Sequence, residues 1–281
     1  MKINKCIITI GGLGTRMLPI TKTITKEMLP IVDVPAIFLQ VKDLYLSGIK
    51  EIIFVVSKRN YHLLKDFFTK DQEIEKAIKN NLEKKENLKE INHIISNIKI
   101  HFVLQNEKGS YGSLYSAYKY VKNEEYFGLI FSDDLVDSKT PVFKQLMIEH
   151  EKYNNMVIAA KTLEKKELPR YGIIKYKKDN ILDTLVYNGN DLPSQDVLHG
   201  KFILHKDIFK VKKELKYHDG ELQLPEAILK FKDVRVLLYE GEYFDIGNKL
   251  GFLKANIHYG LKNEKFKDEL LNYINSIKKN G

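Results

Sequence analysis

The sequence predicts an α/β fold: a mixed, mainly parallel sheet covered by helices on both faces, with a small antiparallel subregion and C-terminal helices. Three observations predict it. Short apolar runs alternate with helical stretches through the first half of the 281 residues, short alternating runs follow in the second half, and the last segment is amphipathic. Because strands that alternate with helices form βαβ units, the first half is expected to build a Rossmann-like sheet.

The first half supplies the predicted parallel strands and their helices. Apolar runs predict strands at residues 6–10, 51–56, 98–104, 127–131 and 155–162. Helical patterns predict helices at residues 36–46, 112–121 and 142–153, and Gly48 ends the first of them. The charged segment 71–97 has apolar residues at helical spacing, so we expect one or two exposed helices there, which act as a lid or a partner surface.

The second half carries a different pattern. Alternating runs at residues 172–176, 181–187 and 197–205 predict the antiparallel subregion, and residues 234–239 predict a further strand. A C-terminal helix has one apolar stripe, typical of a docking face, made of Phe266, Leu270, Ile274 and Ile277. Since no internal repeat and no linker rich in Pro or Ser is present, we expect one domain over residues 1–281, with parts at 1–165, 166–247 and 248–281.

Composition excludes several classes of protein. The chain is 43% hydrophobic and 30% charged, and its longest apolar runs, at residues 52–56 and 156–160, are far shorter than the roughly 18 residues that a membrane-spanning helix needs. Cys6 is the one cysteine, which excludes an internal disulfide and a cysteine-based zinc site. We expect no secretory signal and a reducing, cytoplasmic location.

The net charge of +9 comes from 46 basic and 37 acidic residues. The lysines are scattered and interleaved with acidic residues, which is typical of a solvated surface. No basic block with spaced aromatic residues is present, and we therefore expect neither nucleic acid nor a membrane as a partner.

The most informative segment is the glycine-rich loop that follows the first predicted strand. Gly11, Gly12 and Gly14 leave backbone N–H groups free to approach phosphate oxygens, which larger side chains would block. Arg16 lies in the same loop, and Lys26 follows ten residues later. Two cations on one polyphosphate would stabilise the charge that develops on a leaving pyrophosphate.

The loop taken alone leaves other interpretations open. It is also consistent with a structural turn carrying surface bases. A dinucleotide fingerprint would need a third glycine where Met17 stands, and an acidic residue where the second strand is followed by Ser57, Lys58 and Arg59. Those two bases could instead hold the phosphate of NADP, so a dehydrogenase stays open at this point.

A family resemblance makes the loop specific. The segments Gly-Leu-Gly-Thr-Arg-Met-Leu-Pro, at residues 12–19, and Lys-Glu-Met-Leu-Pro-Ile-Val-Asp, at residues 26–33, resemble those of bacterial UTP–glucose-1-phosphate uridylyltransferases, within the sugar-nucleotide pyrophosphorylase superfamily. The similarity continues in order through Gln105, Gly112, residues 131–135, Tyr171-Gly172, residues 221–224 and residues 244–249. It therefore covers nearly the whole chain.

The resemblance implies an enzyme of carbohydrate metabolism that joins UTP and glucose 1-phosphate into UDP-glucose and pyrophosphate. It implies a nucleotide-binding core at 1–165, a sugar-binding subregion at 166–247 and helices at 248–281 that could form the contact of a homodimer or homotetramer. By match to the family's motifs, the nucleotide would be held by Gly11, Gly12, Gly14, Thr15, Glu27, Gln105 and Gly112, the triphosphate by the catalytic cations Arg16 and Lys26, the sugar by Gly172, and Mg²⁺ by Asp133 and Asp245.

One departure from the family affects the sugar-phosphate site. The family carries a Glu-Lys-Pro triplet that binds sugar hydroxyls and phosphate, and counting back without a gap from Pro193-Ser194 places Leu185, Val186 and Tyr187 there. Apolar side chains supply neither charge nor hydrogen bonds. Two alternatives therefore stay open beside glucose 1-phosphate: a different sugar phosphate, or a non-catalytic regulatory paralogue.

Overall fold

A computed structural model describes residues 3–187 and 192–280, with side chains of the last helix described up to residue 277. The strands are β1 Lys5–Ile10, β2 Pro30–Ile31, β3 Val34–Pro35, β4 Glu51–Val56, β5 Lys99–Leu104, β6 Tyr126–Phe131, β7 Asp134–Asp137, β8 Val157–Thr162, β9 Ile173–Tyr176, β10 Leu182–Val186, β11 Asp196–His205, β12 Arg235–Leu238 and β13 Glu242–Asp245. The α-helices are α1 Ala36–Ser47, α2 Tyr61–Phe67, α3 Gln72–Ala77, α4 Leu82–Asn97, α5 Ser110–Ser116, α6 Tyr118–Val121, α7 Val142–Tyr153, α8 Leu224–Ile228, α9 Lys249–Leu261 and α10 Lys267–Asn280.

The central sheet confirms the predicted mixed, mainly parallel architecture. Its strands lie in the order β10-β9-β11-β6-β1-β4-β5, and β8 pairs with both β11 and β12. The pairs β6–β1, β1–β4 and β4–β5 are parallel, whereas β11 runs antiparallel to β6, β8 and β9. The predicted antiparallel subregion is therefore continuous with the central sheet, which it joins through β11.

Both faces of the sheet are buried, as the apolar runs predict. Ile7 of β1 packs in a buried cluster with Tyr111 of α5. Its neighbour Ile8 points the other way, into a cluster that contains Phe38 of α1 and Phe143 of α7. Since successive side chains of a strand face opposite sides, a continuous apolar run fits a strand with helices on both faces.

The charged segment 71–97 forms the predicted exposed helices, α3 and α4, and Ile94 is the one residue of these two helices that is buried. Its role as a lid or partner surface stays a prediction. The predicted helix 112–121 is divided into α5 and α6. In the C-terminal stripe, Leu270 packs against Gly260 of α9, whereas Ile277 is 55% exposed.

A small ladder that the sequence analysis did not predict connects distant parts of the chain. β7 and β13 pair antiparallel, with Asp134 opposite Asp245. This pairing brings a segment near the C-terminal helices to the carboxyl end of β6, the edge of the sheet where open α/β folds bind ligands.

Within the described residues, no helix is both long enough and apolar enough to cross a bilayer. The division of the domain at residues 165 and 247 stays a prediction.

Candidate active site

The glycine-rich loop after β1 contains three glycines, each with a different structural role. Gly14 has a φ of 66°, in the left-handed region, and its carbonyl accepts a hydrogen bond from Thr21 Oγ1 at 2.8 Å. A Cβ at Gly11 would collide with Oε1 of Gln105, so this glycine lets the end of β5 approach the loop. A Cβ at Gly12 would meet nothing within 4 Å, which leaves its backbone open to the adjacent cavity.

A cavity of about 940 Å³ extends from this loop across the carboxyl ends of β1, β4 and β5. Of the residues predicted to bind nucleotide, it is lined by Gly11, Gly12, Thr15, Glu27 and Gln105, together with the predicted catalytic Lys26. Gly14 and Gly112 do not line it. A Cβ at Gly112 would lie 2.8 Å from the backbone of Glu107, so Gly112 allows close packing of α5 against the loop after β5.

The two bases that follow the second predicted strand, Lys58 and Arg59, have different surroundings in the structure. Lys58 lines the large cavity. Arg59 instead donates hydrogen bonds of 2.5 Å to the carbonyls of Thr21 and Lys22, and so braces the segment between the loop and Lys26.

Two cations and two aspartates meet at one end of the large cavity. Lys26 Nζ lies 2.5 Å from Asp133 Oδ2. Arg16 bridges the two carboxylates, with Nη2 at 3.8 Å from Asp133 Oδ2 and Nη1 at 3.4 Å from Asp245 Oδ2. These four side chains are the ones that the family resemblance assigned to the triphosphate and the metal, and the fold brings them together from positions up to 229 residues apart.

The charges in this cluster determine each other's ionisation. Burial alone would raise the pKa of Asp133, but the charges of Lys26 and Arg16 outweigh it and lower that pKa. Burial alone would lower the pKa of Lys26, and the charges of Asp133 and Glu27 outweigh it and raise that pKa. The aspartate and the lysine are therefore both charged at neutral pH.

Asp245 is held in place by the turn that follows β13. Its Oδ1 accepts a hydrogen bond of 2.9 Å from the backbone N–H of Gly247, and its Oδ2 accepts one of 2.8 Å from the side-chain amide of Asn248. Asn248 also caps α9, because its Oδ1 accepts from the N–H of Gly251 at 2.8 Å. The start of α9 thus fixes the orientation of the carboxylate.

Glu27 is 1% exposed, and protein groups satisfy its carboxylate. Its Oε1 accepts a hydrogen bond of 2.8 Å from Ser132 Oγ, and its Oε2 accepts one from Thr25 Oγ1. These bonds tie the Lys26 turn to the end of β6. A direct contact between Glu27 and nucleotide stays a prediction.

A second cavity, of about 250 Å³, lies on the other side of Asp133. It contains the predicted sugar-binding residue Gly172 and three residues of the charged cluster, Arg16, Asp133 and Asp245. A Cβ at Gly172 would lie 2.9 Å from the Tyr187 hydroxyl. The two cavities therefore meet at the charged cluster.

The ungapped placement of Leu185, Val186 and Tyr187 at the sugar-phosphate position stays a prediction. Leu185 is 8% exposed and packs in the same core cluster as Ile174 and Leu182, because alternation along β10 turns it inward. Tyr187, just past the end of β10, is the residue of that stretch that reaches Gly172.

Sequence analysis missed a group of polar residues that line the small cavity. Asp134 Oδ1 accepts a hydrogen bond of 2.8 Å from the Tyr243 hydroxyl, and Oδ2 accepts one of 2.7 Å from the N–H of Gly200. Burial and the charge of Asp133 raise the pKa of Asp134 to about 6. His199 lies 4.1 Å from the Tyr243 ring, centroid to centroid, and burial lowers its pKa to about 3. These residues come from separate segments, and no sequence motif joins them.

The two carboxylates of the cluster fit a magnesium ion whose remaining ligands come from the substrate phosphates. Within residues 3–187 and 192–280, no group of three or more His, Cys, Asp or Glu side chains could hold a metal ion by itself. Mg²⁺, however, is commonly bound by one or two carboxylates together with substrate phosphates. Asp133 and Asp245 share the Arg16 guanidinium, so the space between them already favours positive charge.

Comparison with known proteins agrees with the geometry. The sequence model of the nucleotidyl transferase family matches residues 5–260. The chain is 34% identical to UTP–glucose-1-phosphate uridylyltransferase 2 of Staphylococcus saprophyticus, over 99% of both chains. It is 33% identical to UTP–glucose-1-phosphate uridylyltransferase YngB of Bacillus subtilis, over 98% of this chain and 96% of the relative.

Solved structures give the same result. A crystal structure of apo UDP-glucose pyrophosphorylase superposes with a TM-score of 0.85 at 31% identity, covering 93% of this chain and 99% of that one. A UTP-bound enzyme from Acinetobacter baumannii superposes with a TM-score of 0.87 at 27% identity, covering 97% and 99%. The dehydrogenase alternative is therefore wrong. The chain belongs to the nucleotidyl transferase family, among the UTP–glucose-1-phosphate uridylyltransferases, or UDP-glucose pyrophosphorylases.

Proposed function

We propose that this chain joins UTP and glucose 1-phosphate into UDP-glucose and pyrophosphate, with Mg²⁺ as its cofactor and the cytoplasm as its location. One observation carries the proposal: two cavities, one at the glycine-rich loop and one at Gly172, meet at Asp133, which Lys26 contacts from the large cavity and Arg16 from the small one. A reaction between two phosphorylated substrates needs such a junction.

The reaction needs positioning and charge stabilisation more than covalent chemistry. An oxygen of the sugar phosphate attacks the α-phosphorus of UTP, a new P–O bond forms, and the bond from that phosphorus to the pyrophosphate oxygen breaks. Lys26 and Arg16 lie at the junction of the cavities, where they stabilise negative charge on the phosphates as the bond breaks.

Asp133 and Asp245 are the residues that would hold Mg²⁺. Bound there, the ion would neutralise charge on the phosphate oxygens and help to orient them. The chain's own part is to fix the two carboxylates, which it does through Lys26 on Asp133 and through Gly247 and Asn248 on Asp245.

The uracil end of UTP would lie at the far end of the large cavity. Gln105 Nε2 donates to the carbonyl of Glu107 at 2.7 Å, which fixes the amide beside Gly11. An amide and the backbone groups of Gly109 and Ser110, which line the same cavity, offer both donors and acceptors, which a uracil edge requires.

A homodimer or homotetramer is part of the proposal. Leu250, Leu253 and Ile257 lie on α9 and are each more than 40% exposed. Light scattering on the purified protein tests it, and a monomer at micromolar concentration would contradict it.

The direct test of the activity is pyrophosphate release from UTP, Mg²⁺ and glucose 1-phosphate. Release that requires both substrates and is lost with EDTA would support the proposal. The same assay is run with other sugar 1-phosphates and nucleoside triphosphates. Faster pyrophosphate release with another sugar 1-phosphate than with glucose 1-phosphate would identify an altered acceptor. UTP binding without turnover on any pair would favour the regulatory paralogue.

A further inference from the structure

The small cavity contains a cation that the family resemblance did not assign. Arg170 lines it together with Gly172, Arg16, Asp133 and Asp245. It ends a short 3-10 helix, Leu168–Arg170, directly before the Tyr171-Gly172 pair.

The backbone at Arg170 is held rigidly although the side chain is exposed. Leu168 is 1% exposed and packs in a buried cluster with Ile173 and Val197. Pro169 restricts the turn from within, since its φ is fixed. On the other side, the Tyr171 hydroxyl lies 3.2 Å from that of Tyr243. The guanidinium therefore extends from a fixed base.

Among the residues that the structure describes, no acidic side chain pairs with Arg170. Arg16 contacts Asp133 and Asp245, and Lys26 contacts Asp133. Arg170, by contrast, forms no ion pair and no side-chain hydrogen bond with the part of the chain that the structure describes.

A sugar 1-phosphate brings a dianion into a cavity that already contains Asp133, Asp134 and Asp245. The aspartate carboxylates repel the negative charge of this phosphate, so the site needs a cation to bind it. Leu185 and Val186, which stand at the ungapped positions of the family's glutamate and lysine, carry no charge. A guanidinium presents paired N–H donors that match two phosphate oxygens.

We propose that Arg170 binds the phosphate of the sugar 1-phosphate and takes the part of the lysine that the family carries in its Glu-Lys-Pro triplet. This inference rests on the proposed function. It makes Arg170 a binding residue for the acceptor substrate, with no part in binding UTP.

The test compares R170A and R170Q with wild type in steady-state kinetics. Loss of one charged contact corresponds to about a 10- to 100-fold increase in KM for glucose 1-phosphate, with KM for UTP changed less than about twofold. R170K should show a smaller increase in KM for glucose 1-phosphate, since lysine keeps the positive charge but lacks the paired N–H donors of the guanidinium. The matched control is K166A in the same loop, an exposed side chain that pairs with Glu164 and does not line the cavity.

A binding measurement separates this inference from the proposed activity. Glucose 1-phosphate is titrated calorimetrically into protein saturated with Mg²⁺ and α,β-methylene-UTP, which cannot react. Weaker binding by R170A and R170Q, with unchanged thermal unfolding, supports the inference even if wild type shows no turnover. Equal binding by wild type and both variants overturns it, as does a parallel loss of UTP affinity.

Discussion

Gly247 packs closely against the charged cluster, and G247A is the sharpest test of that cluster. A Cβ there would lie 2.8 Å from Arg16 Nη2, 2.9 Å from Asp245 Oδ1 and 3.1 Å from Asp133 Oδ2. Gly247 has a φ that other residues adopt, so alanine places no strain on the backbone. The substitution therefore adds one methyl group at the point where three functional side chains converge.

The displacement follows from the distances. Ordinary contact with a Cβ begins at 3.4 Å, so Arg16 Nη2 must retreat by about 0.6 Å and Asp245 Oδ1 by about 0.5 Å. A misplacement near 1 Å can cost about 100-fold in rate, so we expect kcat to fall by roughly 10- to 100-fold. The free energy of unfolding should change by less than about 1 kcal/mol, since the new methyl faces flexible side-chain ends.

Pyrophosphate release under saturating substrates measures kcat, and thermal unfolding checks the fold. The contrasting variant is G12A, whose Cβ meets no protein atom within 4 Å and would extend into the large cavity. G12A should raise KM for UTP more than it lowers kcat. If G247A keeps kcat within twofold of wild type while folding normally, the cluster geometry is not what limits the reaction.

Three further predictions concern the site and its support. D133N should lower turnover by about 100-fold or more with the fold intact, because a neutral amide is a poor Mg²⁺ ligand; unchanged pyrophosphate release would remove Asp133 from the metal role. R16A should lower kcat by about 100-fold while KM for UTP changes little, and an effect on KM alone would limit Arg16 to ground-state binding. The pKa of His199 is about 3 in the folded protein, well below the usual 6.5. Between pH 6.5 and pH 3, His199 is therefore protonated in the unfolded state but neutral in the folded state. Wild type should therefore lose on the order of 4 kcal/mol of stability as the pH falls from about 6.5 to about 3, and H199F should show a flatter curve of melting temperature against pH; parallel curves would contradict this assignment.

Local patterns were sufficient for the parallel half of the sheet. β1, β4 and β6 are continuous apolar runs of ordinary strand length, and burial on both faces leaves few other structures for them. The loop after β1 was predicted because glycines mark a backbone that must stay open, whereas Asp133 was assigned by the family resemblance.

Long-range pairing could not be predicted in the same way. β7 and β13 have four residues each and little apolar content, so neither has a strand signal by itself. The inward orientation of Leu185 depends on alternation along β10, which counting residues back from Pro193 does not reveal. Arg170 stands in a stretch rich in charge, where a functional cation looks like any surface one.

The ladder between β7 and β13 also affects when the enzyme becomes active during its synthesis. The glycine-rich loop and β6 are complete once about half of the chain has been made, but Asp245 joins them only when β13 pairs with β7. A nascent chain that stops before residue 245 lacks one of the two carboxylates that contact Arg16. The charged cluster is thereby assembled only after β13 has been synthesised and has paired with β7.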